Sequence, residues 1–275
     1  MKLAIAALFL LLLALPAGAQ ANGGCGEGGR CVVREGYYLA EAPADWDGES
    51  ALPIVVFIHG WNSSPEGMFR NRALVEGITR RGALFVVPWA QTGYWRQIGS
   101  GRAEGGRDEL AYMKTLMADI ERRWPVDRRR SLVSGFSRGA SLVWNLACYA
   151  GDMFEAYLPI AGGFWNSNPK SCPGGPVNLR HIHGRSDRVV ALDEIGIYNS
   201  MPIPEGLTIL QQLNGCAAEP QAEQAHARYS CEVWSACSSG RQLELCLHTG
   251  GHSIPAEWVV EGYDWMLSLA AAQRR

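Results

Sequence analysis

The sequence lacks several features that would indicate a metal site, a nucleic-acid partner or a membrane protein. No Cys-x-x-Cys pair occurs and the histidines are not grouped with the cysteines, so neither a metal nor a cofactor is predicted. The formal net charge of −2 gives no reason to expect nucleic acid or an anionic surface as a partner. No repeat, low-complexity segment or Pro/Ser-rich linker divides the chain. Its 275 residues, 47% of them hydrophobic, therefore predict one large single-core domain.

One apolar run approaches the length of a membrane span, and it lies at the amino terminus. Residues 3–15 are apolar, and they follow Met1 and Lys2. A spanning helix needs roughly 20 apolar residues, whereas this run stops before Pro16 and a stretch of small residues. We therefore predict a signal peptide over residues 1–19, with cleavage after Ala19; cleavage after Ala21 stays open. The mature protein is predicted to be periplasmic or secreted, without membrane association.

Beyond the leader, the chain is predicted to consist of a short arm and one α/β domain. Residues 20–31 form the arm, in which the segment 22–30 is mostly glycine, and the domain covers residues 32–275. Within the domain, β-branched and aromatic runs predict strands at 52–58, 83–87, 131–133, 157–160, 177–182 and 242–248. Helical patterns begin at Ser64, at Asp108 and after Ser137. This alternation predicts a mostly parallel central sheet with helices on both faces.

A Gly-Phe-Ser-Arg-Gly sequence at residues 135–139 has the context of a nucleophile elbow. It follows a predicted strand and opens a helix that ends before Gly151. Glycine on both flanks suits such an elbow, because a larger side chain would collide with the packing of strand and helix. The amino end of the helix also favours developing negative charge. Ser137 is therefore the predicted nucleophile.

A serine hydroxyl is a weak nucleophile at neutral pH, so this hypothesis requires a general base and an acid that orients it. Asp187 follows the strand predicted at 177–182, and His252 follows the strand predicted at 242–248. Both residues should lie in loops at the carboxyl ends of core strands. The order serine, aspartate, histidine along the chain is that of α/β-hydrolases.

Other residues of the same types compete for these two roles. Asp193 and Glu194 are the alternatives to Asp187 as the orienting acid. Two of the remaining histidines fall inside strand patterns, where a histidine is more often structural. The alternatives to His252 are His59, His181, His183, His226 and His248.

The loop that begins with His59-Gly60-Trp61 follows the strand predicted at 52–58. In α/β-hydrolases the corresponding loop lies beside the elbow and supplies one amide of the oxyanion hole. We therefore predict that the backbone N–H groups of Trp61 and Arg138 form this hole. The imidazole of His59 is predicted to be structural.

Taken together, these motifs resemble one family of α/β-hydrolase esterases, the polyhydroxybutyrate depolymerases and feruloyl esterases. The resemblance covers roughly residues 32–269 and implies that the matching serine, aspartate and histidine form a catalytic triad. Two positions depart from the family pattern, since Trp61 replaces a frequent cysteine and Arg138 a smaller or uncharged residue. Both flank the oxyanion hole, so the acyl pocket is expected to differ. The matching segments are His59-Gly60, residues 135–139, His183-Gly184-x-x-Asp187-x-Val189 and Gly250-Gly251-His252 with Pro255.

Aromatic residues fall in or next to the loops that should follow strands, on the side where α/β sheets bind ligands. Aromatic walls suit a phenolic or sugar ester. Depolymerases that attack solid polyester generally add a linker and a surface-binding module, for which this chain has no room, so a soluble ester or an oligomer is expected. The predicted pocket residues are Trp61, Trp89, Trp95 and Trp165, with Tyr94 beside them.

The sequence thus predicts an exported serine esterase that hydrolyses carboxylic esters through an acyl-enzyme. Hydroxyalkanoate oligomers and phenolic, feruloyl-type esters are the expected substrates. Two other functions stay open. A serine peptidase of this fold usually needs a large extra domain to hold a peptide, and a silent binding protein would be expected to have lost a triad residue. No oligomeric state is predicted.

All eight cysteines follow the leader, and an even number in an exported chain predicts disulfides. The first two are close in sequence, the next two join the nucleophile helix to a loop beside it, and a hairpin turned at 238–240 would bring another two together. Four cysteines allow three connectivities, so the pairing of the last four stays open. The expected pairs are Cys25–Cys31, Cys148–Cys172, Cys231–Cys246 and, by elimination, Cys216–Cys237.

Overall fold

The structure is a computed structural model that describes residues 24–98, 106–165, 169–196 and 199–272. The predicted signal peptide lies outside these residues. The strands are β1 (Arg30–Val33), β2 (Gly36–Glu41), β3 (Leu52–Ile58), β4 (Leu84–Pro88), β5 (Val126–Phe136), β6 (Ala156–Ile160), β7 (Asn178–Gly184), β8 (Ala222–Ala225), β9 (Ser230–Trp234) and β10 (Leu243–His248). The helices are α1 (Pro65–Arg70), α2 (Arg72–Thr79), α3 (Glu109–Arg123), α4 (Arg138–Tyr149), α5 (Ile203–Asn214) and α6 (Ala256–Ala272).

The strands form one sheet in the order β1-β2-β4-β3-β5-β6-β7-β10-β9-β8. The central strands from β4 to β10 pair in parallel, and the strands outside them pair antiparallel. Parallel strands all point the same way, so the loops that follow β3, β5, β7 and β10 emerge at one edge. The predicted α/β fold with a mostly parallel sheet is confirmed.

Both faces of the sheet are buried under helices, and β3 shows this most directly. All seven of its residues are buried. Ile54, Val56 and Ile58 join one hydrophobic cluster, with side chains of α3, α4 and α5. Val55 and Phe57 join a second cluster, with side chains of α2 and α6. Successive side chains of a strand point to opposite faces, so the continuous apolar run places a core on each side.

Three elements differ from the sequence-based predictions. The helix expected from Ser64 is interrupted at Asn71, whose ψ of 78° is not helical and whose side chain caps α2 through the Leu74 amide. The strand expected at 131–133 begins earlier, as β5, because the charged residues 127–130 extend it at its outer end. The sheet itself begins at Arg30, two residues before the expected start of the domain, since β1 pairs with β2.

Four disulfides join the eight cysteines, and they are the four pairs that the sequence analysis expected. Cys231 and Cys246 are directly opposite each other on the antiparallel strands β9 and β10. The Cys148–Cys172 bridge lies at the last turn of α4, at the opposite end from Ser137. Disulfides of this number fit a protein that folds in an oxidising compartment.

Within the described part of the chain, no helix combines the length and the apolar character that crossing a bilayer requires.

Candidate active site

Ser137 occupies a strained turn between β5 and α4. Its backbone has φ 54° and ψ −121°, a conformation that L-residues rarely adopt and that costs on the order of 1–3 kcal/mol. The strand and helix approach closely here: a Cβ added to Gly139 would lie 2.0 Å from the carbonyl oxygen of Ile58. Only glycine fits at that position. The turn therefore directs the Ser137 side chain away from the packed strand and helix, as in a nucleophile elbow.

The loop after β3 lies against this elbow. A Cβ added to Gly60 would be 3.6 Å from the Cβ of Ser137, which brings the His59-Gly60-Trp61 backbone next to the serine. The loop is held from outside, because the Asn62 amide donates to the carbonyl of Gly93 at 2.9 Å. Backbone N–H groups in this loop and at the first residue of α4 are thus close to Ser137, the arrangement that an oxyanion hole requires.

Asp187 and His252 lie at the ends of the neighbouring parallel strands β7 and β10. The Nδ1 of His252 is 2.7 Å from Oδ2 of Asp187. The other carboxylate oxygen accepts the amides of Val189, at 2.8 Å, and Val190, at 3.0 Å. The carboxylate is therefore fixed by its own loop and presents one oxygen to the imidazole.

The charge state of Asp187 determines which nitrogen of His252 carries the proton. Burial alone would raise the pKa of the Asp187 carboxyl, but the hydrogen bonds from His252 and from the amides of Val190 and Val189 outweigh burial and lower this pKa. An ionised carboxylate only accepts, so Nδ1 of His252 donates to it. In the neutral imidazole, Nε2 is then unprotonated and can accept a proton.

His252 is adjacent to the elbow, since its ring centroid lies 4.7 Å from that of Phe136. Among the described residues, no hydrogen bond joins the Ser137 hydroxyl to the imidazole. Catalytic hydrogen bonds are often long in substrate-free structures and tighten when substrate binds. The contact between Asp187 and His252 is therefore formed, whereas the Ser137 hydroxyl and the imidazole are close without being hydrogen-bonded.

A small, largely apolar pocket of about 220 Å³ opens beside Ser137. Trp61 is 67% exposed and forms its rim. Pockets that enclose drug-sized ligands hold roughly 300–1,000 Å³, so this one suits only a small ligand. The lining residues are Trp61, Tyr94, Ser137, Arg138, Trp165, Val189 and Val190.

Two predicted pocket residues, Trp89 and Trp95, do not line this pocket. Trp95 is completely buried, and its indole donates to the carbonyl oxygen of His59 at 2.8 Å. Trp89 stacks on Tyr37, with ring centroids 5.6 Å apart, and its carbonyl accepts from the buried Arg107. Both indoles pack against neighbouring residues instead of lining the pocket. The prediction that Trp89 and Trp95 are pocket residues is therefore wrong.

The sequence analysis missed a buried chain of hydrogen bonds that leads to the Asp187 loop. The Trp144 indole lies 3.3 Å from Nδ1 of His181, whose Nε2 lies 2.9 Å from Nδ1 of His183. The Nε2 of His183 lies 2.9 Å from the carbonyl of Val190 and 3.7 Å from Oδ2 of Asp187. An indole N–H can only donate, so each histidine must accept at Nδ1 and donate at Nε2.

Burial lowers the pKa of both His181 and His183, which keeps this chain neutral. Its end donates to Val190, whose own amide donates to Asp187. The two histidines therefore support the loop that orients the carboxylate. Their spacing of two residues in a strand, which puts both side chains on one face, is the sequence signal that could have revealed them.

The remaining candidates have other surroundings. Asp193 and Glu194 are exposed. His226 stacks on Tyr229 and His248 accepts the Gly250 amide through Nδ1, whereas His59 is fully buried.

One group of possible metal ligands lies close together among the described residues: Cys231, Glu244 and Cys246. Its two sulfurs are bonded to each other, so it offers no thiolate.

The chain is similar to several esterases among known proteins. The chain is 23% identical over 230 residues to a probable feruloyl esterase C of Aspergillus clavatus, covering 78% of this chain and 75% of the relative. It is 24% identical over 273 residues to feruloyl esterase D of Neurospora crassa, covering 90% and 88%. An acetyl xylan esterase from Aspergillus awamori has a similar structure, with a TM-score of 0.62 at 15% identity over 84% of this chain and 94% of that one. No protein-family model matches the chain.

These similarities confirm the resemblance to feruloyl esterases that the motifs indicated. They support a carboxylic-ester hydrolase, and the chain has the α/β-hydrolase fold.

Proposed function

We propose that the protein is an exported serine esterase in which Ser137 is the nucleophile, His252 the general base and Asp187 the orienting acid. The observation that carries the proposal is the 2.7 Å contact between Asp187 and His252, at the ends of adjacent strands and beside a strained serine turn. In a triad, a fixed carboxylate sets the tautomer of the imidazole, and the imidazole activates the hydroxyl.

Acylation follows from the tautomer of His252. Its Nε2 removes the proton from Ser137 Oγ as this oxygen attacks the carbonyl carbon of the ester. The carbonyl oxygen becomes an oxyanion, which the N–H groups of Trp61 and Arg138 stabilise. The protonated imidazole then gives its proton to the departing alcohol, and the acyl group stays bonded to the serine.

Deacylation repeats these steps with water. Nε2 of His252 takes a proton from water, the hydroxide attacks the acyl carbon, and the same amides stabilise the second oxyanion. The proton returns to Ser137 as the acid leaves. Asp187 stays ionised throughout and stabilises the imidazolium that forms in each half-reaction.

The substrates that we propose are soluble esters of short acids, either phenolic esters of the feruloyl type or hydroxyalkanoate oligomers. The similarity to feruloyl esterases supports the first class. The volume of the pocket and its aromatic wall, with Trp61 and Trp165, favour a compact acyl group over a polymer chain.

We further propose that residues 1–19 are a signal peptide and that the remainder, apart from the short arm, is one catalytic domain. The four disulfides support export, because such bonds persist in oxidising compartments. Mass spectrometry of the mature amino terminus tests the cleavage site.

A fluorophosphonate probe tests the nucleophile, because it labels only an activated serine. The wild-type protein should be labelled, Ser137→Ala should not, and Ser235→Ala should be labelled normally, since Ser235 is an exposed residue next to β9. Labelling of folded Ser137→Ala would refute the assignment. A panel of methyl ferulate, p-nitrophenyl esters, hydroxybutyrate oligomers and peptide amides then identifies the substrate class and separates an esterase from a peptidase.

A further inference from the structure

Residues 89–96, which follow β4 and are called the β4 loop below, are hydrogen-bonded to the loop after β3. The Trp95 indole donates to the carbonyl of His59 at 2.8 Å. The carbonyl of Gly93 accepts the amide of Asn62 at 2.9 Å. The residue that supplies one proposed oxyanion amide lies between His59 and Asn62, so these two bonds fix the backbone on both sides of it.

The β4 loop also contacts the residue that supplies the other proposed amide. The carbonyl of Trp95 accepts from the Nε–H of Arg138, the first residue of α4, at 2.5 Å. Backbone amides stabilise an oxyanion only when their N–H groups already point at it from about 2.7–3.1 Å. A shift of the β4 loop should therefore weaken both donors of the proposed hole.

The conformation of the β4 loop requires support from the rest of the molecule. Thr92 has φ 56° and ψ 21°, a left-handed conformation that is rare for a β-branched residue, and the next residue, Gly93, has φ 80°. Such conformations persist only where the surrounding structure fixes them.

A buried ion pair between Arg107 and Glu109 lies against this loop. Nε and Nη2 of Arg107 donate to Oε2 of Glu109 at 3.1 and 2.7 Å, and the two side chains are 0% and 1% exposed. Nη1 donates to the carbonyls of Glu35 and Trp89, and Nη2 donates to that of Trp89, each at 3.1 Å. The guanidinium thus makes five hydrogen bonds, as many as it has N–H groups.

The ion pair is attached to both ends of the β4 loop. At the beginning, Arg107 binds the carbonyl of Trp89, and its own amide donates to Oε1 of Gln91 at 3.0 Å. At the end, the second oxygen of Glu109 accepts the amide of Arg96 at 3.3 Å. The residues that bond the loop after β3 lie between these attachments.

We propose that Arg107 and Glu109 are positioning residues for the oxyanion hole, on which they act through the β4 loop. The inference rests on the proposed esterase function and on the amides assigned there. Side chains buried to this extent cannot touch the ester, so their effect should appear in turnover and not in substrate binding.

Two conservative variants weaken the attachments. Arg107→Lys keeps the charge balance but has three N–H donors where arginine has five. Glu109→Gln keeps one accepting oxygen, so the separate oxygens that hold Arg107 and the Arg96 amide are no longer both present. Each variant should lower kcat for p-nitrophenyl acetate by about 10- to 100-fold and leave KM within about twofold.

Two ketones report on the oxyanion directly. With 1,1,1-trifluorohexan-2-one, Ser137 Oγ bonds to the carbonyl carbon, His252 takes the hydroxyl proton, and the carbonyl oxygen becomes an oxyanion. Hexan-2-one has the same chain but is not activated towards this addition, so it measures occupation of the pocket alone. The ratio of the two inhibition constants gives a ketone preference that does not depend on the folded fraction. In each variant this preference should fall by the same factor as kcat/KM.

The equally buried pair Arg180–Glu244 is the matched control. It joins β7 to β10 with side chains that are 4% and 0% exposed, and neither strand is adjacent to β3. Arg180→Lys and Glu244→Gln should lower the melting temperature much as the Arg107 and Glu109 variants do. Their kcat and ketone preference should stay near the wild-type values.

Trp95→Phe tests the step between the ion pair and the hole. Phenylalanine lacks the N–H that binds the His59 carbonyl, so kcat and the ketone preference should both fall. Combined with Glu109→Gln, which acts through the same loop, it should lower kcat by less than the product of the two separate factors. Independent effects would instead multiply, which would contradict a shared route.

Three further results would overturn the inference. The first is a wild-type kcat and ketone preference in Arg107→Lys or Glu109→Gln, and whichever of the two folds decides. The second is a lower kcat with an unchanged preference, which would assign only a packing role to the pair. The third is an equal loss in the Arg180 and Glu244 variants. Each of these leaves the proposed function standing, whereas a wild-type protein with neither turnover nor probe labelling would remove that function as well.

Discussion

Two regions of the sheet are held together by different means. One is the edge where the loops with the proposed triad emerge, called the catalytic edge below, and the other is the side formed by β8, β9 and β10. At the catalytic edge, the loops that carry Asp187 and His252 are fixed by hydrogen bonds to each other and to nearby amides. On the other side, Cys231–Cys246 joins β9 to β10, and Cys216–Cys237 joins the end of α5 to the loop between these strands. None of the four disulfides includes a residue of the proposed triad.

The difference suggests that stability and chemistry are assigned to separate parts of the molecule. A disulfide acts mainly by restricting the unfolded chain, so it can be placed far from the reaction. The hydrogen bonds at the catalytic edge instead set the tautomer and the orientation of the side chains that we propose as catalytic. Substitutions at the catalytic edge should therefore change turnover, and substitutions at the disulfides should change the free energy of unfolding.

The largest effect is expected for His252→Ala. Without the base, ester turnover should fall by about 10⁶-fold. The residues of a triad act together, so the loss of the base costs nearly as much rate as the loss of all three. The melting temperature should stay close to that of the wild type, since the His252 side chain is partly exposed and fills no part of the core. Steady-state kinetics together with calorimetry measure the two quantities, and near-normal turnover in a folded variant would contradict the triad.

Asp187→Asn should lower turnover by about 10⁴-fold, because the amide no longer fixes the tautomer of His252. The nucleophile, the oxyanion amides and the pocket stay in place, so KM should change little. Asp193→Asn is the matched control, since this exposed carboxylate is on the same stretch of chain. If the two variants lose activity equally, the orienting role of Asp187 is wrong.

Removing the Cys231–Cys246 bridge should separate the two regions most clearly. The double variant Cys231→Ala/Cys246→Ala should lose about 2–4 kcal/mol of unfolding free energy, measured by denaturant titration. Its kcat at 25 °C should stay within about twofold, because the bridge lies outside the proposed machinery. A large fall in kcat for the folded variant would show that the catalytic edge depends on this bridge.

His183→Ala probes the link between the buried core and the catalytic edge. Loss of its contact with Val190 should let the Asp187 loop shift, and small misplacements of a catalytic group cost about 100-fold in rate. We expect kcat to fall about 10- to 100-fold with KM nearly unchanged. Partial rescue by His183→Gln, which can still donate to the Val190 carbonyl, would separate positioning from a general loss of packing.

The smallest effect is a dependence of stability on pH. The pKa values of His181 and His183 are lowered in the folded protein, so the unfolded chain takes up protons first as the pH falls below about 6.5. The contribution of these two neutral histidines to the free energy of unfolding is thus fully present above that pH and declines below it. In His181→Gln, the decline between pH 7 and pH 5 should be smaller by up to about 2 kcal/mol. An unchanged pH slope would show that His181 is not held neutral.

The elements buried on both faces could be predicted from the sequence, because their signal is local. The run at 52–58 is apolar throughout, and β3 has those bounds. Outer strands carry no such signal: β8 is exposed along its whole length, and the outer end of β5 is a run of charged residues. Asn71 interrupts a continuous helical pattern because its side chain caps the next helix, an interaction that competes with helix continuation.

The positions of Ser137, Asp187 and His252 could be predicted because each lies in a loop or turn within a few residues of the end of a core strand. Their catalytic roles remain predictions, which the variants above address. The partners of individual tryptophans could not be read from the sequence, because an indole in a loop can pack inward or line a pocket. Trp95 and Trp165 have the same side chain, and the acceptor that each finds, His59 or Ser141, determines where it lies.

The parallel pairing of β7 with β10 also sets an order in time. Gly184 is directly opposite His248 in this pair, so Asp187 and His252 extend from adjacent strand ends. In the described chain β10 is the last strand to be synthesised. A nascent chain that has produced α4, β7 and the loop after β7 already contains Ser137 and Asp187, but it lacks His252, the proposed base. Hydrolytic competence would then appear abruptly when the final strand enters the sheet, so the unfinished polypeptide could not attack esters in the cell that makes it.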